Sequence, residues 1–201
     1  MGTTLTERQS EILEASLQVI ESEGLKGFTM RNIAQRIGFT DAALYRHFPD
    51  KGAIIGAIAR LFRSNTLENL EAIRSNTSLN AVEKLEMFLM GRAREFETKR
   101  ALTSILFSEE LFRGEGEALN LNLSTLETHA SQLHAIVSEG QAEGTLRKDL
   151  SPSHLVLLLT GPMKQMVSNW KSHADRNPED CSSLVQTVAE FWKTYRIVTR
   201  P

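Results

Sequence analysis

The chain has 201 residues, enough for one or two domains around a real hydrophobic core. Its composition, 41% hydrophobic and 24% charged, is that of a soluble globular protein and excludes a low-complexity or disordered chain. A net charge of -2 excludes a protein that coats nucleic acid with a uniformly basic surface.

Helical periodicity runs through nearly every segment, without strand alternation. A first helix is predicted from about Glu7 to Glu23, with Ile12, Ser16, Val19 and Ile20 as its inner stripe and Gly24 as its stop. Thr29 caps a second helix to about Ile37, with Ile33 and Ala34 inward; Gly38 and Phe39 form a turn; Thr40 caps a third helix to about His47. Pro49 breaks the chain, and Asp50 caps a long fourth helix through Ile54, Ile55, Ile58 and Leu61. After the polar stretch Ser75 to Asn80, Asn80 and Glu83 form a capping box for a fifth helix carrying Val82, Leu85, Phe88, Leu89 and Phe96. A short apolar helix covers Leu102 to Phe107, and Gly114 and Gly116 mark a loop. A seventh helix runs from about Leu119 to Glu143 and stops at Gly144. Ser151-Pro152 opens an eighth helix, which Gly161-Pro162 should kink, and Asn177-Pro178 opens a ninth, to about Val198. The expectation is an all-α fold of about nine helices, with the break after the fourth helix as the candidate boundary and that helix bridging the two parts.

Thr29 to Phe48 is the stretch that carries chemistry. Two short helices joined at Gly38 present the second of them outward, and a major groove admits one α-helix whose first turns reach base edges. Ala34, Leu44 and Phe48 are spaced to lock the pair together. Thr29, Thr40 and Asp50 stand at helix N-termini, which favour anions, and Tyr45, His47 and Lys51 are polar groups on the same surface. From Lys26 to Lys51 the charges are mostly basic, Arg31, Arg36 and Arg46 among them, against Asp41 and Asp50; this suits a protein gripping a few phosphates per subunit. A helical hairpin in any all-α core has the same pattern.

The stretch Ile12 to Leu61 resembles the N-terminal domain of the TetR family of bacterial transcriptional regulators. The resemblance rests on Ile12-Leu13-Glu14-Ala15-Ser16, on Gly24 and Thr29, on Ile33, Ala34 and Gly38, and on Leu44-Tyr45-Arg46-His47-Phe48 followed by Lys51. Gly140, Gly144, Leu146, Arg147 and Asp149, with Trp170, carry a looser likeness in the C-terminal half. The resemblance implies a helix-turn-helix DNA-binding domain over residues 1–50 and a helical effector-binding and dimerisation domain over 51–201. It implies that Thr29, Thr40, Tyr45, His47 and Lys51 contact the DNA backbone, with Arg31 added as a basic neighbour, while the third helix reads bases. On its reading face, Asp41 can accept from a cytosine amino group or serve as a first-turn acid; Ala42 and Ala43 can pack on thymine methyls; Arg46 can read guanine or hold a phosphate. Ala43 stands where the family often has Gly, and Gly52 where it has Glu or Lys.

Family members bind a small ligand among their middle helices and dimerise through the last two. The resemblance therefore implies a small apolar effector and a homodimer. The ligand-lining set expected on that basis is Met87, Met90, Phe107, Phe112, His129, Leu133, Met163 and Met166, with His129 the polar candidate; for any one of them core packing is the leading alternative, and for His129 a hydrogen-bonded core position. The dimerisation set is Leu155, Leu159, Leu184, Val188, Phe191, Trp192 and Tyr195, with Leu158, Met163, Met166 and Trp170 on the same helix-eight stripe, and these wide stripes can also complete a monomeric core.

Enzyme readings find little support. His129 and His134 do not share a helix face, and no HExxH, paired-Cys, GxSxG or Gly-rich phosphate loop is present, so no catalytic residue, metal site or cofactor is expected. The lone Cys181 cannot form an internal disulfide, the N-terminal residues lack a signal-peptide core, and the run Leu155 to Leu159 is too short to span a bilayer, so a cytoplasmic location is expected. The reading is a ligand-responsive repressor that binds a palindromic operator in double-stranded DNA. Its alternative is a DNA-binding regulator without a small ligand, controlled by a protein partner or acting architecturally.

Overall fold

The computed structural model describes residues 5–107, 116–177 and 182–201, and all regular structure among them is helical. In chain order the helices are α1 (Glu7–Gly27), α2 (Met30–Arg36), α3 (Asp41–Tyr45), α4 (Lys51–Ser75), α5 (Ala81–Thr98), α6 (Arg100–Leu106), α7 (Gly116–Glu143), α8 (Pro152–Arg176) and α9 (Leu184–Thr199). They fall into two compact units, one from Met1–Arg63 with Arg100–Leu123, the other from Ser64–Lys99 with Ser124–Pro201. No helix among the described residues is long and apolar enough to cross a membrane.

The helix starts follow the capping chemistry of the sequence. The Oγ1 of Thr29 accepts from the N–H of Asn32 at 3.2 Å, and that of Thr40 from Ala43 at 3.2 Å. Asp50 Oδ1 accepts from Ala53 at 2.7 Å, and Ser151 Oγ from His154 at 3.2 Å. Asn80 and Glu83 exchange both bonds of a capping box. Gly24, expected to stop α1, is its one non-helical residue at φ 67°, and a last turn to Gly27 follows it.

One predicted start differs. Asn177 does not open the last helix: it closes α8, its N–H donating to His173 O at 2.8 Å, and Ser183 caps α9 instead. The local Asn-Pro signal cannot distinguish a start from a stop, because an Asn also ends a helix well. The helix α8 runs through Pro162 without a break.

The first unit packs one apolar cluster. Ile12, Val19, Ile33, Ala34, Leu44, Ile54 and Ile105 are fully enclosed in it, and Phe28, Phe48 and Ile58 are buried beside them. The stripe of α1 meets the inner face of α2 and the helix α6 here. In the second unit α5, α8 and α9 pack on one another around Leu85, Leu89, Val167, Leu184 and Val188.

Polar clamps fix the ends of α9 in this second unit. Glu97 Oε2 accepts from the Ser183 hydroxyl at 3.3 Å and from Val185 N–H at 3.1 Å, a charged cap for the N-terminus of α9. At the other end the backbone N–H of Arg147 donates to Thr199 O at 3.0 Å and its guanidinium to Val198 O at 2.8 Å. Asp149 holds that guanidinium with both oxygens, which raises the Arg147 pKa and lowers that of Asp149.

Candidate nucleic-acid interface

The turn between α2 and α3 is built from backbone bonds. Phe39 N–H donates to Ala34 O at 2.8 Å and Gly38 N–H to Gln35 O at 3.3 Å, the paired bonds of a Schellman end, with Gly38 at φ +70°. Ala34, at 0% exposure, lets the two helices approach closely, and Leu44 and Phe48 close the inner side. A second lock joins α2 to the end of α1. Glu23 accepts from Asn32 Nδ2 at 3.0 Å and from Arg36 Nη2 at 3.1 Å, while Arg36 also donates to Ser22 Oγ at 2.9 Å. One of the basic residues counted toward phosphate binding is therefore engaged in an internal ion pair.

With Leu44 and Phe48 facing in, the remaining positions of α3 and its flanks face out. Thr29, Arg31, Thr40, Asp41, Ala42, Tyr45, Arg46 and Lys51 are exposed, and Ala43 and His47 half-buried. Tyr45 keeps 50% of its surface open to water. The two threonines accept a backbone N–H through their oxygens and keep their own O–H to donate outward. At α4 the arrangement is different: the carboxylate of Asp50 fills the anion position at the helix start, so the cation available there is Lys51 rather than the helix end itself. The surface thus offers hydroxyl, phenol, imidazole and ammonium groups around a short helix with small side chains at its tip. That chemistry fits phosphates flanking a groove, with few base-reading atoms.

Two members of the expected ligand-lining set, Met87 and Met166, border different grooves of the second unit. In the second unit, α5 and the part of α4 from residue 64 onward border an open groove of about 580 Å³, lined by Thr66, Ile73, Met87, Phe88, Gly91 and Arg92 among others. Met87 is 47% exposed there, while His129 sits edge-on to Phe88 with ring centroids 6.5 Å apart. Met166 instead lines a separate groove beside Trp170 and His173. Leu133 and Met163 are buried, and Met90 is half-buried. Phe107 belongs to the first unit, and Phe112 lies outside the described residues. Arg92, which no sequence pattern singles out, is 8% exposed, donates to Thr66 Oγ1 at 2.5 Å and pairs with Glu95 at 2.6 Å. Burial lowers its pKa.

Phe191 apart, the dimerisation set is placed inside the chain. Leu155, Leu159, Leu184 and Val188 have 0% exposure, Trp192 4% and Tyr195 3%, with Phe191 half-buried. The Tyr195 hydroxyl donates to Leu155 O at 3.1 Å, and its ring stacks on Trp192 at 5.4 Å. Side chains already enclosed by their own chain have no surface left for a second copy. The exposed apolar groups of the same helices are Leu157 at 64%, Leu158 at 41%, Ile197 at 67% and Val198 at 44%. The sequence held a signal for the two on α8: five consecutive apolar residues from Leu155 to Leu159 cannot all face one side of a helix.

Comparison with known proteins agrees with the geometry. Residues 12–58 match the family model described as bacterial regulatory proteins, tetR family. The nucleoid occlusion factor SlmA of Vibrio campbellii (strain ATCC BAA-1116) is 30% identical over 140 residues, covering 69% of this chain and 70% of that protein. Among solved structures, the ketosteroid transcriptional regulator KstR2 of Mycobacterium tuberculosis superposes with a TM-score of 0.79 at 19% identity, covering 98% of this chain and 97% of that one. The transcriptional regulator FadR of Bacillus subtilis, in complex with stearoyl-CoA, superposes with a TM-score of 0.74 at 18% identity, covering 92% and 96%.

Proposed function

The chain belongs to the TetR family of bacterial regulatory proteins and is a DNA-binding regulator of that kind, and from that premise we propose that it is a homodimeric, ligand-responsive repressor acting on a palindromic operator. The observation that carries this reading is the outward face of α3 and its flanks, with Tyr45 half exposed among Thr40, Arg46 and Lys51 while Leu44 is fully buried. Each subunit inserts α3 into a major groove. Thr29, Thr40, Tyr45, His47 and Lys51 hold phosphates, with Arg31 beside them. Asp41, Ala42, Ala43 and Arg46 face the base edges, so specificity leans on few contacts, DNA shape and half-site spacing. The reading requires no catalytic group.

Dimerisation uses the exposed apolar groups of α8 and α9, Leu157, Leu158, Ile197 and Val198, rather than the buried stripe behind them. A second copy of the same face is the partner that removes them from water symmetrically. The effector occupies the groove beside Met87, Phe88 and Gly91, whose volume suits a small ligand. The names of the two structural relatives, a ketosteroid regulator and a stearoyl-CoA complex, support an effector with a large apolar body. Binding there favours one of two positions of α4 and so one spacing of the recognition helices; only a difference in ligand affinity between the two releases DNA.

The test is a gel-shift series on the DNA upstream of the protein's own gene. Binding to a palindrome there, lost in Tyr45→Ala, supports the reading; binding to no duplex sinks it. A second reading is favoured by the likeness to the nucleoid occlusion factor, which extends over 140 residues, well past the DNA-binding motif. In it the groove takes a protein partner and DNA is never released by a small molecule. Gly91→Leu, which fills the groove, separates the two: it abolishes small-molecule release under the first reading and leaves nothing to abolish under the second.

A further inference from the structure

We propose that Arg8, on the first turn of α1, is a DNA-backbone contact held in place by Phe39; the proposal rests on the DNA-binding reading above. Arg8 lies outside the matched residues 12–58 and outside the sequence pattern of the motif. The geometry nevertheless brings it to the recognition helix. Its guanidinium carbon stands 5.7 Å from the centroid of the Phe39 ring, a cation–π distance. The centroid of that ring is 6.4 Å from that of His47. Phe39 immediately precedes Thr40, the cap of α3, and His47 follows the end of α3. The aromatic ring therefore bridges the two ends of the recognition helix, and Arg8 is the cation that α1 sets beside it.

The side chain is both fixed and available. Thr6 and Gln9 form a capping box that fixes the turn carrying Arg8. Glu11 Oε2 takes Arg8 Nη1 at 2.6 Å, yet the Arg8 side chain keeps 61% exposure. An exposed pair of this kind adds little to stability, so its effect is to orient the guanidinium. The place of Arg8 on α1, rather than on α3, assigns it to a phosphate and not to a base edge, because base edges are reached by the first turns of the inserted helix. Its charge also matters to the count of cations, since Arg36, tied to both Ser22 and Glu23, keeps 36% side-chain exposure against the 61% of Arg8. A phosphate arriving at Arg8 competes with Glu11 for the same guanidinium.

The experiment is fluorescence anisotropy of the full chain on two duplexes, the operator selected by the wild type and a random-sequence duplex, across a series of salt concentrations. Arg8→Gln is expected to weaken both by a similar severalfold factor and to reduce the slope of log K against log salt by about 0.9 per subunit. Arg8→Lys keeps the slope, because a point charge still holds a phosphate, and Glu11→Gln tightens binding to both duplexes. Thermal melting of Arg8→Gln, unchanged for so exposed a group, separates loss of contact from loss of fold. Unchanged affinity and slope in Arg8→Gln overturn the proposal, and so does weaker binding with an unchanged slope, which marks a merely positioning role. Weaker binding of Glu11→Gln also contradicts it. If the wild type binds neither duplex, the DNA-binding reading fails and the contact with it.

Discussion

Phe39 donates its backbone N–H to the carbonyl of Ala34 across 2.8 Å, and this bond sets the angle at which α3 leaves α2. It forms only because Gly38, between them, holds φ +70°. A Cβ at Gly38 would meet nothing within 4 Å, so the obstacle to any other residue is backbone strain and not space. Gly38→Ala is therefore expected to cost about 1–2 kcal/mol of folding stability. Gly91, in mid-helix on α5, likewise leaves room for a methyl group, with nothing within 4 Å, but its backbone is helical. Gly91→Ala should stabilise by roughly 0.5–1 kcal/mol. Urea unfolding of the two variants checks the pair, and shifts of the same sign would contradict this account of the turn.

The burial of α8 and α9 separates folding from association. Leu184→Ala empties a fully enclosed site and should cost about 2–5 kcal/mol of stability, with the folded variant still dimeric. Leu157→Glu, at a position 64% exposed in the single chain, should leave the melting of the subunit nearly unchanged and shift sedimentation toward monomer. A dimeric Leu157→Glu paired with a monomeric, well-folded Leu184→Ala would return the interface to the buried stripe.

Burial pushes the phenol of Tyr195 above its ordinary pKa of 10.0. The folded chain thus holds the proton more tightly than the unfolded one. Its contribution is complete below pH 10 and is lost as the pH rises beyond it. Tyr195→Phe removes this dependence. It also removes the bond to Leu155 O, at a cost of about 0.5–1.5 kcal/mol near neutrality. Urea midpoints between about pH 9 and about pH 11 compare the two chains; equal alkaline losses in both would show that Tyr195 is not the group responsible.

The local chemistry of the sequence read well wherever one residue acts on its own neighbours. Thr29, Thr40, Asp50, Asn80 with Glu83, and Ser151 all cap the helices expected of them, and Gly144 ends α7 at φ 78°. The two-helix geometry of the motif followed from Ala34, Gly38, Leu44 and Phe48 for the same reason. What needed three dimensions was the partner of each apolar stripe. Periodicity says that Leu155, Leu159, Leu184 and Val188 face something, and in the folded chain that something is the chain's own interior. Nor could spacing reveal that Arg36 is engaged by Glu23, that Arg8 lies over Phe39, or that Thr66 meets Arg92, since each joins residues distant in the sequence.

The central claim, that α3 and its flanks grip DNA, is tested most directly by selecting duplexes from a random pool with the wild-type protein and titrating the winner against wild type and Tyr45→Ala. The account predicts a palindrome with half-sites about 34–36 Å apart or a multiple of that. It predicts steeply salt-dependent binding and a loss of about 1.5–3 kcal/mol per subunit in the variant. Tyr45 is half exposed, so the variant should melt with the wild type. No enriched sequence, or a palindrome bound equally by both proteins, would contradict it.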